Sequence, residues 1–202
     1  MNTAERLHQA YGGNRRLEAL ARHLAPLLPE RASVLDVGCG DGALDERIGG
    51  ARPDVEISGI DVLVRPETRI PVTSFDGRAI PHPDDAFDAV VLVDVLHHCD
   101  DPEALLAEAV RVARRCVLLK DHIASGPVSR ALLRFMDDVG NRRFDVALPH
   151  NYWEEPRWRD AFERLGLTVE TWETDLRLYP GPLDWIFGGS LHFVARLGVQ
   201  PG

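Results

Sequence analysis

From Val34 onward, short and nearly continuous apolar runs alternate with longer stretches in which apolar residues recur every three or four positions. That alternation predicts strands joined by crossover helices, the pattern of a parallel sheet. The strand-like runs are 33–37, 55–60, 70–74, 89–93 and 116–120. A run apolar at every position, such as 89–93, suits a strand covered on both faces. Helical stretches fall at 43–48 and 102–112, where Pro102 fits a first helical position and Asp100 or Asp101 a cap. Upstream, residues 14–28 place Leu17, Leu20, Leu24 and Leu27/Leu28 on one helical face, and Pro29 closes it. Past Asp121 the pattern loosens. Residues 128–139 read as a helix (Leu132, Phe135/Met136, Val139) broken by Gly140-Asn141, and about 154–165 as another ending at a Gly166 C-cap. Two last runs, 167–172 and 191–197, are separated by the Pro- and Gly-rich residues 180–189. A connection without a crossover helix favours antiparallel pairing there. The expected fold class is α/β, a doubly wound, mostly parallel sheet of seven strands with one antiparallel.

Composition narrows the function. A chain of 202 residues is one ordinary domain with room for a core. Its 23 basic against 32 acidic residues give a net charge of −9, which repels phosphate backbones, so no nucleic-acid partner is expected. The basic clusters, Arg111 with Arg114-Arg115 and Arg142-Arg143, are short and read as solvated helix faces. No run approaches the ~18 apolar residues of a membrane helix. Residues 1–10 are polar, so no signal peptide is expected. Cys39, Cys99 and Cys116 are odd in number and widely spaced, which favours a reducing, cytoplasmic setting over a disulfide framework.

The most informative segment is Val34-Leu35-Asp36-Val37-Gly38-Cys39-Gly40-Asp41-Gly42, a buried strand running into a glycine-dense turn and then a helix. At the carboxyl edge of the first strand of an open α/β sheet, that is a nucleotide-type crevice. Gly38-x-Gly40-x-x-Ala43 formally satisfies the dinucleotide fingerprint. Asp36 and Asp41 oppose it, because a pyrophosphate at the helix N-terminus would meet two carboxylates. S-adenosylmethionine carries no phosphate, and its sulfonium and ammonium favour acidic neighbours.

That segment, followed in order by Gly59-Ile60-Asp61, Phe75-Asp76-Gly77 and Phe87-Asp88-Ala89-Val90-Val91-Leu92-Val93-Asp94-Val95-Leu96-His97-His98, resembles the class I S-adenosylmethionine-dependent methyltransferases. The likeness covers roughly residues 34–120 and implies a Rossmann-like methyltransferase fold acting on a small-molecule acceptor. A non-catalytic cofactor- or partner-binding protein of the same fold is the alternative. Asp61 ends the second strand 23 residues past Gly38, where the family's acid accepts both ribose hydroxyls. Val62 is placed against the adenine face. Asp76 is expected to accept from the adenine amino group, or to serve only the geometry of an Asp-Gly turn with Gly77. Asp36 either puts charge near the methionyl ammonium or ties down loop amides. Gly38, Cys39, Gly40 and Val93 complete the expected cofactor contacts, with the Cys39 side chain packing rather than reacting.

For catalysis, His98 is taken as the substrate-facing member of the His97-His98 pair, and the family pattern allows the other to pack beneath the cofactor. A metal is not expected at His97-His98-Cys99-Asp100-Asp101, because adjacent residues seldom aim at one ion. His122, ending the fifth strand, can take a proton from a hydroxyl acceptor at neutral pH, with Asp121 orienting it. Tyr152 and Trp153 either line a pocket or staple the helix that follows, Trp153 the latter. Residues 123–150 form a 28-residue insertion, expected to act as a lid, and residues 1–30 a helical cover whose Tyr11-Gly12-Gly13 can close over the same opening. The acceptor's identity and atom and the oligomeric state have no sequence signal.

Overall fold

The computed structural model describes residues 14–141 and 149–200. Seven strands form one sheet: β1 Ser33–Val37, β2 Glu56–Asp61, β3 Val72–Ser74, β4 Phe87–Val93, β5 Ala113–His122, β6 Thr168–Glu173 and β7 His192–Gly198, in the order β3-β2-β1-β4-β5-β7-β6. The pairs linking β1 through β5 are parallel. Strand β7 is inserted antiparallel between β5 and β6. Helices are α1 Asn14–Leu24, α2 Ala43–Ala51, α3 Pro102–Val112, α4 Pro127–Asn141, α5 Glu155–Arg164 and α6 Pro182–Phe187.

The central strands explain the continuous apolar runs, because alternate side chains feed two different cores. Leu35, Val37, Val90, Leu92, Val117 and Leu119 pack one face under α3 and α5. Val34, Ala89, Val91, Cys116, Leu118 and Val194 pack the other under α1 and α2. Helix α3 starts at Pro102 with the Asp101 carboxylate accepting the Ala104 N–H at 3.1 Å. It ends at Val112 and β5 begins at the next residue. The staple before α5 is present, with Trp153 against Trp158 at a ring separation of 4.6 Å. Gly166, at φ +67°, closes that helix as its amide bonds Glu163 O and the Leu167 amide bonds Phe162 O.

Several expectations are corrected. Strand β5 runs beyond its apolar stretch to His122, because Asp121 and His122 pair with Phe193 and His192 of β7. Strand β3 starts at Val72 rather than 70, and Ile70 instead packs over the glycine turn against Gly42. Residues 182–187 form the short helix α6, begun by Pro182, within the stretch read as loop. Helix α4 runs through Gly140-Asn141, where a break was expected, and among its described side chains the buried apolar one is Leu133, whereas Phe135 is 58% exposed. Leu133 packs with Ala124 and Tyr152, so the insertion is anchored on the fold. Its residues 142–148, with Phe144 and Arg142-Arg143, lie outside the described residues, as do Tyr11, Gly12 and Gly13. Among the described residues no helix is long and apolar enough to cross a membrane.

Candidate active site

A cavity of about 1090 Å³ lies along the carboxyl edge of the sheet, where loops after β1, β2, β3, β4 and β5 converge. One end is walled by Gly38, Gly40, Asp61, Val62, Asp76 and Gly77, the other by His97, His98, His122, Met136 and Asp137.

The first end is made largely of main chain. Gly38 and Gly40 sit at φ +79° and +62°. A Cβ on Gly38 would stand 2.6 Å from Val95 Cγ2, so the strand can enter the turn only without a side chain there. Asp61 ties the turn together, its Oδ2 accepting the Gly40 N–H at 2.8 Å and its Oδ1 the Leu63 N–H at 2.9 Å. Each carboxylate oxygen retains acceptor capacity, and the residue lines the cavity. Asp76 Oδ1 accepts the Arg78 and Ala79 N–H groups at 2.8 and 2.9 Å, so its turn-forming role is present. Those bonds hold its carboxyl below the usual range.

Three expected cofactor contacts sit behind this wall. Asp36, Cys39 and Val93 are not among the cavity-lining residues. Asp36 is 3% exposed and hydrogen-bonds the Asp45 carboxyl of α2 rather than the loop amides. Burial, then Asp45 and Asp61, raise Asp36 well above the carboxylate range, and burial raises Asp45 to about 6. Two carboxyls in contact in a dry site share a proton. Cys39 packs its sulfur on Gly59, where a Cβ would come within 2.3 Å. Burial and the neighbouring carboxyls push that thiol up, away from reactivity. Val93 packs with the second core.

The other end is a buried network of charged side chains. Asp94, at φ +57° just past β4, is bonded by Arg16 of α1 and by Lys120 of β5. Lys120 is fully buried and also touches His192 Nδ1 at 3.2 Å. Burial opposes ionisation of Asp94, but Lys120 and Arg16 outweigh it and hold the carboxyl well below its usual range. Asp121 organises the turn after β4, accepting the Leu96 N–H at 3.2 Å, the His122 N–H at 2.7 Å and His97 Nδ1 at 2.6 Å. The carboxylate expected to orient His122 therefore makes its short side-chain bond to His97, with His122 Nδ1 at 3.4 Å. Burial alone would push His97 down, yet Asp121, with Asp137 and Asp94 nearby, holds it above the usual imidazole value.

His97 and His98 both line the cavity, with ring centroids 3.9 Å apart in one tight turn. Burial and His97 push His98 down to about 4. Burial, Lys120 and His97 likewise lower His122. Both imidazoles are therefore neutral near pH 7. Segment 149–153 closes against this turn, Asn151 Nδ2 bonding Cys99 O at 2.6 Å and the Asn151 amide bonding His97 O at 2.9 Å. Tyr152 donates its hydroxyl to Asp137.

His98, His122 and the glycine wall line the cavity as the sequence predicts, whereas Asp94, Lys120, Arg16 and Asp137 have no role predicted from sequence. Asp94 lay inside the quoted motif. Arg16 and Asp137 are 78 and 43 residues from Asp94, as 94 minus 16 and 137 minus 94 give, and no local spacing links them.

Comparison with known proteins agrees with this geometry. Residues 7–171 match the family model described as "Methyltransferase domain". A 27-O-demethylrifamycin SV methyltransferase from Amycolatopsis mediterranei is 31% identical over 131 residues, 54% of this chain and 48% of that protein. A ubiquinone biosynthesis O-methyltransferase from Photorhabdus laumondii is 32% identical over 94 residues, 40% of this chain and 38% of that protein. The chain thus spans about half or less of the length of these relatives. Among solved structures, a SAM-dependent methyltransferase from Aquifex aeolicus superposes with a TM-score of 0.60 at 18% identity, covering 89% of this chain and 88% of that one. A magnesium protoporphyrin IX methyltransferase from Synechocystis with bound SAH gives 0.63 at 15% identity, covering 99% and 89%. The matched model, the glycine turn and the strand order together make this chain a member of the class I S-adenosylmethionine-dependent methyltransferase family.

Proposed function

We propose that the chain moves a methyl group from S-adenosylmethionine to a small-molecule acceptor held at the histidine end of the cavity. The observation that carries this reading is Asp61, a carboxylate fixed by the Gly40 and Leu63 amides on the wall of the same cavity that His98 and His122 line. The residues suit the cofactor, since a turn of positive-φ glycines offers an open main-chain wall and three acids, Asp36, Asp45 and Asp61, lie at or beneath it. Bound there, S-adenosylmethionine supplies a sulfonium methyl group open to in-line displacement. Asp61 would hold the ribose hydroxyls, Val62 and Gly77 flank the adenine, and Asp76 Oδ2 accept from its amino group. Asp36, Cys39 and Val93 would act from behind the wall.

Positioning donor and acceptor supplies much of the acceleration in such a transfer. Where the acceptor is a hydroxyl, its proton passes to a neutral imidazole, His98 or His122, as the oxygen–methyl bond forms. Helix α4, carrying Met136 and Asp137 to the cavity, covers the acceptor end and excludes water. The relatives' names, a rifamycin SV and a ubiquinone-biosynthesis methyltransferase, support a small-molecule acceptor. The test is equilibrium binding of radiolabelled S-adenosylmethionine followed by a transfer screen over hydroxyl and amine acceptors. Saturable binding with transfer supports the reading, and binding with no transfer to any acceptor replaces it with a non-catalytic role.

A further inference from the structure

We infer that His97, His98 and Asp137 form a binding site for one divalent transition-metal ion on the wall of the acceptor end. One ring nitrogen of His97, one of His98 and a carboxylate oxygen of Asp137 all lie within 4.8 Å of one another. His97 Nε2 is 3.4 Å from Asp137 Oδ2, close to the edge of about 3.3 Å of a tetrahedron with ~2.0–2.1 Å metal bonds. His97 Nε2 and His98 Nδ1 are buried and lack a hydrogen-bond partner among the described residues. His97 is 1% exposed, and its Nε2, without a hydrogen bond, has the long Asp137 contact, which a metal ion between the two groups would replace with direct bonds. The adjacent histidines come together because a 3₁₀ turn over Leu96–His98 brings the two rings to a centroid separation of 3.9 Å, tilted 51° to each other.

The surroundings match what ligands of such an ion need. A metal-binding imidazole usually gives its other N–H to a carboxylate, and His97 Nδ1 is 2.6 Å from Asp121 Oδ1. Asp137 is held in turn by the Tyr152 hydroxyl. Two imidazoles and one carboxylate suit zinc, cobalt(II) or nickel(II) better than magnesium. Three protein ligands leave one position for a group from the cavity. A second grouping, Asp94 with His97 and His122, is also compact. Its carboxylate is already bonded to Arg16 and Lys120, whose charges repel a cation. With His98 committed as a ligand, His122 is the neutral imidazole left to take the acceptor's proton, and only this consequence rests on the proposed function.

The experiment is titration of the purified chain with cobalt(II), without S-adenosylmethionine, followed by visible absorption and by competition with zinc. One ion per chain with the absorption of an imidazole-bound ion is expected. His98→Ala should weaken binding at least about 100-fold and Asp137→Asn about 10–100-fold, with His122→Gln close to wild type and all three checked for native circular dichroism. No stoichiometric binding, or equal affinity in the His98 and Asp137 variants, overturns the site. A loss in His122→Gln as large as in His98→Ala overturns it in favour of the Asp94 grouping. Metal binding without cofactor binding would leave this inference standing and remove the proposed function, and the reverse result does the opposite.

Discussion

The two ends of the cavity are built on opposite principles. The glycine end is a backbone device in which alternate glycines and one strand-end carboxylate present main chain to the cavity, and its main parts lie within residues 36–77. The histidine end is a side-chain device, in which the turn after β4, β5, α4 and β7 each contribute a buried polar group and α1 the half-buried Arg16. Backbone recognition tolerates variation behind the wall. A buried charge network does not, since removing one member strands its partner.

That contrast sets the order of expected effects. Lys120→Met removes the buried ammonium bonded to the Asp94 carboxylate, and should cost about 3 kcal/mol of stability, read from urea unfolding midpoints. Adding Asp94→Asn to it should recover part of that loss. An unchanged midpoint in the single variant would show the histidine end to be no more demanding than the other. His122→Gln should lower turnover with a hydroxyl acceptor by about 10²-fold while leaving S-adenosylmethionine affinity within about twofold. A matched fall in cofactor affinity would erase the division between the ends. Asp61→Ala should weaken cofactor binding by roughly 1–3 kcal/mol, measured by calorimetry, and change stability less.

The smallest effect tests the pair behind the glycine wall. Asp45 rises from 3.8 in the unfolded reference to about 6 in the fold, so between those values the native state holds a proton the unfolded chain has released. Stability from this group is present below the unfolded value and is lost as pH rises through about 6. Asp45→Asn should flatten that slope and stabilise the chain by about 1–2 kcal/mol near pH 7.5, with little gain at pH 4. Thermal melts at the two pH values decide it, and equal gains at both would mean that no shared proton is involved.

Legibility in the sequence follows the same division. The glycine turn, Asp61 and β1 could be read because they are local and their backbone needs are specific to residue type. Helix α3 was equally plain, with Pro102 and the Asp101 cap marking its start. The proton shared by Asp36 and Asp45 could not be read, since strand and helix positions nine residues apart meet only after packing. Nor could the bond from Asp121 to His97 rather than to the adjoining His122, because strand β5 turns alternate side chains to opposite faces. The polar end of β5 carries no apolar signal for another reason: ladder pairing with β7 holds it, not apolar burial of a run. Helix α6 is six residues long, too short for a period to show.

The junction between α3 and β5, where Val112 is followed directly by the first strand residue, has a consequence for engineering the chain. An extra residue there must be absorbed inside β5, and a one-position slip would turn Lys120 and Asp121 to each other's faces of the sheet. At the opposite edge, 28 residues already sit between Asp121-His122 and Asn151 without disturbing a ladder pair. Tags, grafted loops or altered acceptor pockets therefore belong at one edge of this sheet only, and the seam at Val112 is where a design should leave the chain untouched.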